Sequence, residues 1–247
     1  MSKYIITIFT ILLLNASISE AQFPGGIKVA LGLTTTSLLG DNPAKQPMVY
    51  VTDDGYAVLG GALRDAQPGI EFRLTMPVDK EQKYYVPFSF EYSFFTGRER
   101  HNLSPHIVEI WTHSFDLASL SSGLHVNFYK MDFANAQIYG GIEGRVSFIN
   151  NIETHRNRVF LQQVQPDSSW NEIPKAKATR FGGTIRVGVE GKLRDLVHIN
   201  AGFAVSALNL IGKEDERGEL FTPNNMFELQ EPTVTTFQVF ILLQLNL

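Results

Sequence analysis

The chain has 247 residues, no cysteine and a formal net charge of −4, with 21 basic and 25 acidic residues. Its length fits one large domain or two small ones. The lack of cysteine excludes a disulfide scaffold, a thiolate metal site and a cysteine nucleophile. Without a basic excess to hold a phosphate backbone, we expect no nucleic-acid partner. Mean hydropathy near zero excludes a helical-bundle membrane protein but leaves other membrane proteins open.

The first residues have the pattern of a secretory signal peptide. Lys3 precedes an apolar run over residues 4–14, and a more polar stretch then ends at the small residue Ala21. The apolar run is too short for a membrane-spanning helix. We therefore expect a signal peptide over residues 1–21 and an exported mature domain over residues 22–247. A retained N-terminal membrane anchor is the less favoured alternative.

Beyond residue 25, apolar and polar residues alternate with period two in eight segments, which indicates strands with two unlike faces. The predicted strands lie near residues 27–34, 70–76, 86–94, 115–128, 138–148, 181–190, 197–206 and 237–247. In the fourth segment the apolar residues change parity, which predicts a phase slip or β-bulge near Ala118 and Ser119. The last segment also places Phe240 and Leu242 on its polar face.

The predicted connections alternate strictly between long and short. The short ones cover about residues 78–83, 130–135 and 193–196, and the long ones about residues 40–68, 97–113, 150–178 and 211–232. Transmembrane barrels have short periplasmic turns and longer outer loops. The sequence therefore predicts an all-β fold, an eight-stranded antiparallel up-and-down β-barrel with both termini on the periplasmic side.

The alternation does not by itself say which face lies inside the barrel. A soluble lipocalin-like carrier would turn the apolar face inward. The interior of an eight-stranded barrel is only just wide enough to be filled by side chains, however, and the apolar set is too bulky for it. We therefore predict a transmembrane barrel whose apolar face contacts lipid. Aromatic residues near strand ends, such as Tyr84 and Phe128, fit interfacial girdles, although strands favour aromatic residues anyway.

Glycine-rich segments at residues 138–144 and 181–188 accompany the signal-peptide pattern and the eight alternating strands. With these features the mature chain resembles the small bacterial outer-membrane β-barrel proteins of OmpA/OmpX type, as found in Bacteroidetes. The resemblance implies a place in the outer membrane of a Gram-negative cell envelope and contact with its lipid. It also implies recognition by the barrel assembly machinery through the C-terminal strand, residues 236–247. Leu247 departs from the aromatic residue that usually ends this signal.

The predicted inward face carries charges of both signs in similar number. Unpaired charges inside a narrow barrel would cost several kcal/mol each, so we expect them to pair into a polar plug. This lumen polar network comprises Glu71, Arg73, Glu91, Glu143, Arg145, Arg186 and Glu190, with Lys28, Lys192, His125 and His198 beside it. A small passive pore lined by the same groups is the functional alternative.

No catalytic motif accompanies the barrel pattern. The sequence has no Gly-x-Ser-x-Gly, His-Glu-x-x-His or Walker-type loop, so we expect no enzyme, no catalytic residue and no cofactor. A lipid-modifying enzyme on the same scaffold is a minor alternative, in which His125 and His198 are the candidate bases. A hydrogen-bonding role is the favoured interpretation of both. His101, His106 and His113 lie in or beside one predicted loop, but their spacing matches no standard zinc site and we expect no metal.

Two predicted outer loops are candidates for recognition. The loop at residues 150–178 contains Arg156 and Trp170, and the charged loop at residues 211–232 contains Phe221. Exposed aromatic residues on such loops form a contact site or pack on their own loop, and the sequence leaves both open. The predicted function is therefore a structural or surface-recognition role, with the long loops as the place for an extracellular ligand.

Overall fold

The computed structural model describes residues 26–51, 57–131, 134–162, 165–171, 175–214, 218–223 and 231–247. The expected signal peptide lies outside these residues, so its boundary stays a prediction. No helix in the described part of the chain is long and apolar enough to cross a membrane.

The described residues form eleven strands and a short 3₁₀ helix at Pro43–Lys45. In chain order the strands are β1 (Lys28–Leu38), β2 (Val49–Val51), β3 (Ala57–Leu59), β4 (Gln67–Pro77), β5 (Tyr84–Ser104), β6 (Ile107–Met131), β7 (Ala136–Phe160), β8 (Ser168–Asn171), β9 (Ala178–Lys192), β10 (Val197–Ile211) and β11 (Thr235–Asn246).

The eight longest strands pair antiparallel with their neighbours and close into a ring. β1 pairs with both β4 and β11, and β6 pairs with β7, which completes the circle. Closure removes the unpaired strand edges that an open sheet would present. The predicted eight-stranded antiparallel up-and-down β-barrel is confirmed.

The tight connections all lie at one end of the barrel, here called the turn end, together with the C-terminal residue. They cover residues 78–83, 132–135 and 193–196, which matches the predicted short turns. The opposite end, here called the loop end, carries the longer connections at residues 39–66, 161–177 and 212–234.

Part of the loop prediction is wrong. Residues 97–113 are not a long loop, because β5 continues to Ser104, β6 begins at Ile107, and only Pro105 and His106 connect them. Likewise β7 extends to Phe160, through the first part of the predicted loop at residues 150–178. The alternation signal fails here because both faces of these strand ends carry polar residues.

The long strands therefore build a sheet above the barrel, which we call the wing. β5, β6 and β7 have 21, 25 and 25 residues, whereas the other wall strands have 11 to 15. β8 pairs with the upper part of β7 and adds a fourth strand. The wing comprises residues 97–104, 107–114, 152–160 and 168–171.

The phase slip predicted near Ala118 and Ser119 is also wrong. Phe115 and Leu117 are buried on the inward face together with Ser119, so the parity of β6 is unbroken at this point. The pairing of β6 with β7 instead shifts register on either side of it, first beside Asn151, whose φ is +54°. Phe115 and Leu117 are apolar although they point inward, because at this level of the lumen they pack against other apolar side chains such as Phe95 and Ile149.

The apolar face of the barrel wall points outward, as predicted. Leu33 is 70 % exposed and Ile142 is 67 % exposed, while the inward residues that alternate with them are largely buried. Other large outward side chains that stay exposed are Leu31, Ile70, Phe88, Phe90, Leu120, Leu124, Ile185, Phe203, Ile241 and Leu243. The barrel therefore has an apolar exterior and a polar interior, the reverse of a lipocalin-like carrier.

Candidate functional site

The lumen is the first candidate site, because the wall strands direct all of their interior charges into it. The structure places every member of the predicted network inside the barrel, each no more than 7 % exposed. These residues are Glu71, Arg73, Glu91, Glu143, Arg145, Arg186 and Glu190.

Arg186 on β9 lies at the centre of this network and joins two carboxylates. Its Nε is 3.0 Å from Glu143 Oε1, and its Nη2 is 3.3 Å from Glu71 Oε1. Arg73 Nη2 lies 2.5 Å from Glu71 Oε1, and His125 Nε2 lies 2.8 Å from Glu143 Oε1. Each buried charge therefore has an opposite charge or a hydrogen-bond partner in contact, which offsets the cost of its burial.

Two further ion pairs lie on either side of this centre. Toward the loop end, Arg145 Nη2 is 3.0 Å from Glu91 Oε2. Toward the turn end, Lys28 Nζ is 2.7 Å from Glu190 Oε2. Lys192 does not join the network, since it is exposed and pairs with Asp195 in the neighbouring turn.

Glycine makes room for rings in this narrow interior. A Cβ atom at Gly141 would lie 2.1 Å from the His125 ring, and one at Gly188 would lie 2.6 Å from the Tyr139 hydroxyl oxygen. The two rings stack with centroids 5.1 Å apart, and Tyr139 donates to Asn200 Oδ1 at 2.8 Å. Beside them remains a cavity of about 20 Å³, which is room for about one water molecule.

Apolar residues fill the lumen at the loop end. Residues 218–223 of the β10–β11 connection enter the barrel mouth, and Leu220 and Phe221 are fully buried there. The Phe221 ring stacks on Phe115 with centroids 4.5 Å apart and lies 5.6 Å from Phe95. We call this cluster the mouth plug; its members are Leu38, Ala44, Leu63, Phe95, Phe115, Leu117, Ile149, Ile152, Ala178, Leu208, Leu220, Phe221 and Val234.

His113 on the wing ties the mouth plug to β7. Its Nε2 lies 3.0 Å from the Phe221 carbonyl oxygen and its Nδ1 lies 3.1 Å from the Glu153 carbonyl oxygen. Burial lowers the pKa of His113 to about 4. The ring is therefore neutral near pH 7 and donates only one of these two hydrogen bonds.

Glu219 is an unusual member of the inserted segment. Glu219 is only 6 % exposed, and neither carboxylate oxygen has a hydrogen-bond partner among the described residues. Burial raises the pKa of Glu219 to about 7, and Asn42 and Lys175 nearby offset only part of this effect. Lys175 Nζ donates instead to the backbone carbonyl oxygens of Glu219 and Thr222, so the turn is held by its backbone.

A second buried ion pair near the mouth was missed by the sequence analysis. Arg180 Nη2 lies 2.6 Å from Glu231 Oε2, and Asn209 Nδ2 donates to Glu231 Oε1 at 2.6 Å. Both side chains of the ion pair are at most 1 % exposed. Glu231 lies in a connection with no alternation, so no local pattern pointed to it.

The inner face of the wing carries a stack of alternating rings and guanidinium groups. The Arg156 guanidinium lies 4.8 Å from the Trp111 ring centroid and 4.7 Å from that of Trp170. Glu109, which is 1 % exposed, lies 2.9 Å from Arg156 Nη2 and 2.9 Å from Arg158 Nη2. These contacts hold β8 against β7. Trp170 therefore packs on the wing and Phe221 packs in the lumen, so both aromatic residues of the predicted loops make contacts within the chain.

The three histidines of the predicted outer loop are not brought together. His113 is buried at the base of the wing against Phe221, His101 Nε2 is 3.3 Å from Glu99, and His106 is exposed beside Gln162. In the described ranges, no three histidine, aspartate or glutamate side chains are placed to hold a metal ion. His198, also expected to join a network, has a buried Nδ1 without a hydrogen-bond partner in these ranges.

No protein-family model and no curated protein matches the chain. Among solved structures it is similar to Neisserial surface protein A (NspA), with 11% identity, 90% of this chain and 97% of that chain covered, and a TM-score of 0.44. It is also similar to Ail, the attachment invasion locus protein of Yersinia pestis, with 11% identity, 90% and 97% coverage, and a TM-score of 0.39. These values are too low to decide family or function, and the barrel rests on the chain's own strand pairing.

Proposed function

We propose that this chain is a bacterial outer-membrane β-barrel protein with a closed lumen and a structural or surface-recognition role. The observation that carries the proposal is the inverted wall, with exposed residues such as Leu33 and Ile142 outside and a buried charge network inside. In water an apolar surface of this size would associate or aggregate, whereas a bilayer solvates it.

The height of the apolar band fits a bilayer. On β11 the outward side chains run from Phe237 to Leu247 without a charge. Ten residues rise by about 33 Å along a strand, or about 25 Å along the membrane normal at a tilt of about 40°. That height equals the apolar band of outer-membrane barrels, which supports membrane insertion.

The asymmetry of the connections supports one orientation. The turn end, with its tight connections, suits the periplasmic side, and the wing and loop end suit the cell exterior. In this orientation the C-terminal strand β11 starts outside and ends at the periplasmic edge, where the barrel assembly machinery would meet it.

Single-cysteine variants test membrane placement and orientation together, because the chain has no cysteine of its own. Leu103→Cys lies at the wing tip, where the leucine is 53 % exposed, and Asp195→Cys lies in a turn at the opposite end. We expect a membrane-impermeant maleimide to label Leu103→Cys on intact cells, and Asp195→Cys only after the outer membrane is permeabilised. Equal labelling of both on intact cells would contradict the orientation.

Extraction from cells tests the barrel in its membrane. We expect the chain to stay with the membrane fraction until detergent is added, and to migrate faster in gels before heating than after it. A chain that remains soluble after export without detergent would overturn the proposal of a membrane barrel.

The closed lumen favours a structural or recognition role over a passive pore. The charge network blocks the turn-end half and the mouth plug blocks the loop-end half, so we expect no stable channels from purified protein in planar bilayers. Reproducible channel openings would support the pore instead. His125, one of the two candidate bases of a lipid-modifying enzyme, is 3 % exposed and paired with Glu143, which supports its hydrogen-bonding role.

A further inference from the structure

Two arginines on the outer face of the wing differ from those on its inner face. Arg98 and Arg100 are both exposed, and within the described residues neither side chain has an ion pair or a hydrogen bond. Arg156 and Arg158, on the inner face, both pair with Glu109. The outer face therefore presents two cations whose partner is not supplied by the described chain.

An apolar groove lies directly beside the two outer arginines. It has a volume of about 500 Å³ and is lined by Arg98, Glu99, Arg100, Val108, Ile110, Val159 and Leu161. Glu99 alternates with the two arginines along β5, and its carboxylate lies on the opposite face of the strand, where it accepts from Met48 N at 3.0 Å and lies 3.3 Å from His101 Nε2. In the sheet register Arg100 pairs with Ile110, and Val108 pairs with Val159, so the cations border an apolar floor. A partner that fits this surface carries negative charge next to apolar faces.

The groove continues the wall that faces lipid. Along β5 the outward positions run from Phe90 and Phe94, which are 42 % and 48 % exposed, through Thr96 to Arg98 and Arg100. Arg98 is four residues above Phe94, which is about 13 Å along the strand and about 10 Å along the normal at a tilt of about 40°. The polar headgroup region begins at the edge of the hydrocarbon core, so this position places the arginines beside headgroups.

We propose that Arg98, Arg100 and the adjoining groove bind the phosphorylated headgroup of a glycolipid in the outer leaflet. This inference rests on the proposed membrane location. A guanidinium group can donate two parallel hydrogen bonds to two oxygens of one phosphate, and two arginines on one strand face can together hold one phosphorylated sugar. The apolar floor packs against sugar-ring or acyl carbon atoms and lowers the local dielectric, which strengthens the pairing.

The test measures binding of bisphosphorylated lipid A to the full chain folded in neutral detergent. The variant Arg98→Ala/Arg100→Ala removes both cations, and Lys80→Ala/Arg194→Ala removes two exposed cations at the turn end as the matched control. Two cations near a charged headgroup contribute enough for a roughly 10- to 30-fold loss of affinity in the first variant. The control variant should bind as the unchanged chain does, and Arg98→Lys/Arg100→Lys should retain part of the affinity.

Dephosphorylated lipid A identifies the chemical group that is recognised. The unchanged chain should bind it about as weakly as Arg98→Ala/Arg100→Ala binds the phosphorylated form. Equal affinity for both forms, or unaltered affinity in the alanine variant, would overturn the inference. So would full competition by equimolar inorganic phosphate or by an acidic peptide, since the site would then not select a glycolipid.

Failure of this inference can be told apart from failure of the membrane proposal. Heat-modifiable migration of each variant reports whether the barrel has folded, and surface labelling of Leu103→Cys reports its placement. A chain that passes both checks and binds lipid A independently of Arg98 and Arg100 contradicts the glycolipid site alone.

Discussion

The two halves of the lumen are closed by opposite chemistries. In the turn-end half, charged side chains of the wall strands pair around Arg186. In the loop-end half, apolar side chains surround Phe221, which arrives from a connection between strands. The first closure is part of the barrel wall and can be lost only with the barrel, whereas the second is docked and can open locally.

This difference separates what a mutation in each half should disturb. A change in the charge network should lower the free energy of unfolding of the whole barrel. A change in the mouth plug should mainly raise the rate at which residues 218–223 leave the lumen, since few wall hydrogen bonds depend on them.

The largest effect is expected from Arg186→Met. The substitution leaves Glu71 and Glu143 buried at close range without their shared cation. Removal of one partner from a buried charge cluster costs about 3–5 kcal/mol, so the free energy of unfolding in urea, measured in lipid vesicles, should fall by this amount. Arg194→Met in an exposed turn is the control and should change it by less than about 0.5 kcal/mol. Equal unfolding midpoints for the two variants would show that the network adds little to stability.

The charge network and the wall were predictable because both depend on a local pattern. Period-two alternation assigned Glu71, Glu143 and Arg186 to one face without any knowledge of which strands pair. The bulk of the apolar set then indicated which face is outside. The partners within the network were not predictable, since they depend on the register of strands far apart in the sequence.

The mouth plug and the wing could not be read from the sequence for different reasons. Phe221, in the connection between β10 and β11, stacks on Phe115 of β6, and no local pattern in the sequence around Phe221 indicates that contact. In the wing, Glu109, Trp111 and His113 alternate with Ile110 and Thr112, so polar and apolar side chains occur on both faces and the alternation signal vanishes.

The next effect in size is expected from Phe221→Ala. Truncation of a fully buried phenylalanine costs about 3–5 kcal/mol. Here the cost falls on the docked segment, so amide hydrogen exchange of residues 218–223 should accelerate by at least about 150-fold, while the urea midpoint of the barrel stays nearly constant. Phe128→Ala, which shortens an outward ring at the turn end, is the control and should leave this exchange unchanged. A parallel loss of barrel stability in Phe221→Ala would contradict the distinction between the two halves.

A change of pH should alter the stability of the closed segment, residues 218–223, by slightly less than Phe221→Ala does. The pKa of Glu219 is about 7 in the closed plug, against an ordinary value of 4.5. Because the closed state binds the proton more tightly, closure is favoured below about pH 4.5 and loses stability as the pH rises through 7. The whole shift corresponds to about 3 kcal/mol.

Hydrogen exchange between pH 4.5 and pH 8, corrected for the intrinsic rates, measures this dependence. With rising pH, protection of residues 218–223 should decline in the unchanged chain relative to Glu219→Gln, whose side chain cannot ionise. The other groups that act on Glu219, namely Asn42, Lys175 and Glu231, are the same in both variants. So is His113, whose pKa is lowered to about 4 and whose Nε2 contacts the Phe221 carbonyl oxygen, so the difference between the two variants isolates the Glu219 carboxyl group. The same decline in both variants would exclude Glu219 as its cause.

The smallest effect is expected from Trp170→Ala on the wing. The indole of Trp170 covers the Arg156 guanidinium, and a partly exposed cation–π contact contributes about 0.5–1 kcal/mol. Arg156 and Arg158 keep their contacts with Glu109, so only β8 should loosen, with faster amide exchange at residues 168–171. The chain has two tryptophans, and Trp111 is 1 % exposed, so the variant's remaining fluorescence should stay blue-shifted and resist acrylamide quenching. Trp170→Phe keeps a ring over Arg156 and should retain most of the protection of β8. A red-shifted Trp111 in Trp170→Ala would mean that β8 holds the entire wing together, and that the stack, like the mouth plug, is a docked element and not part of the rigid wall.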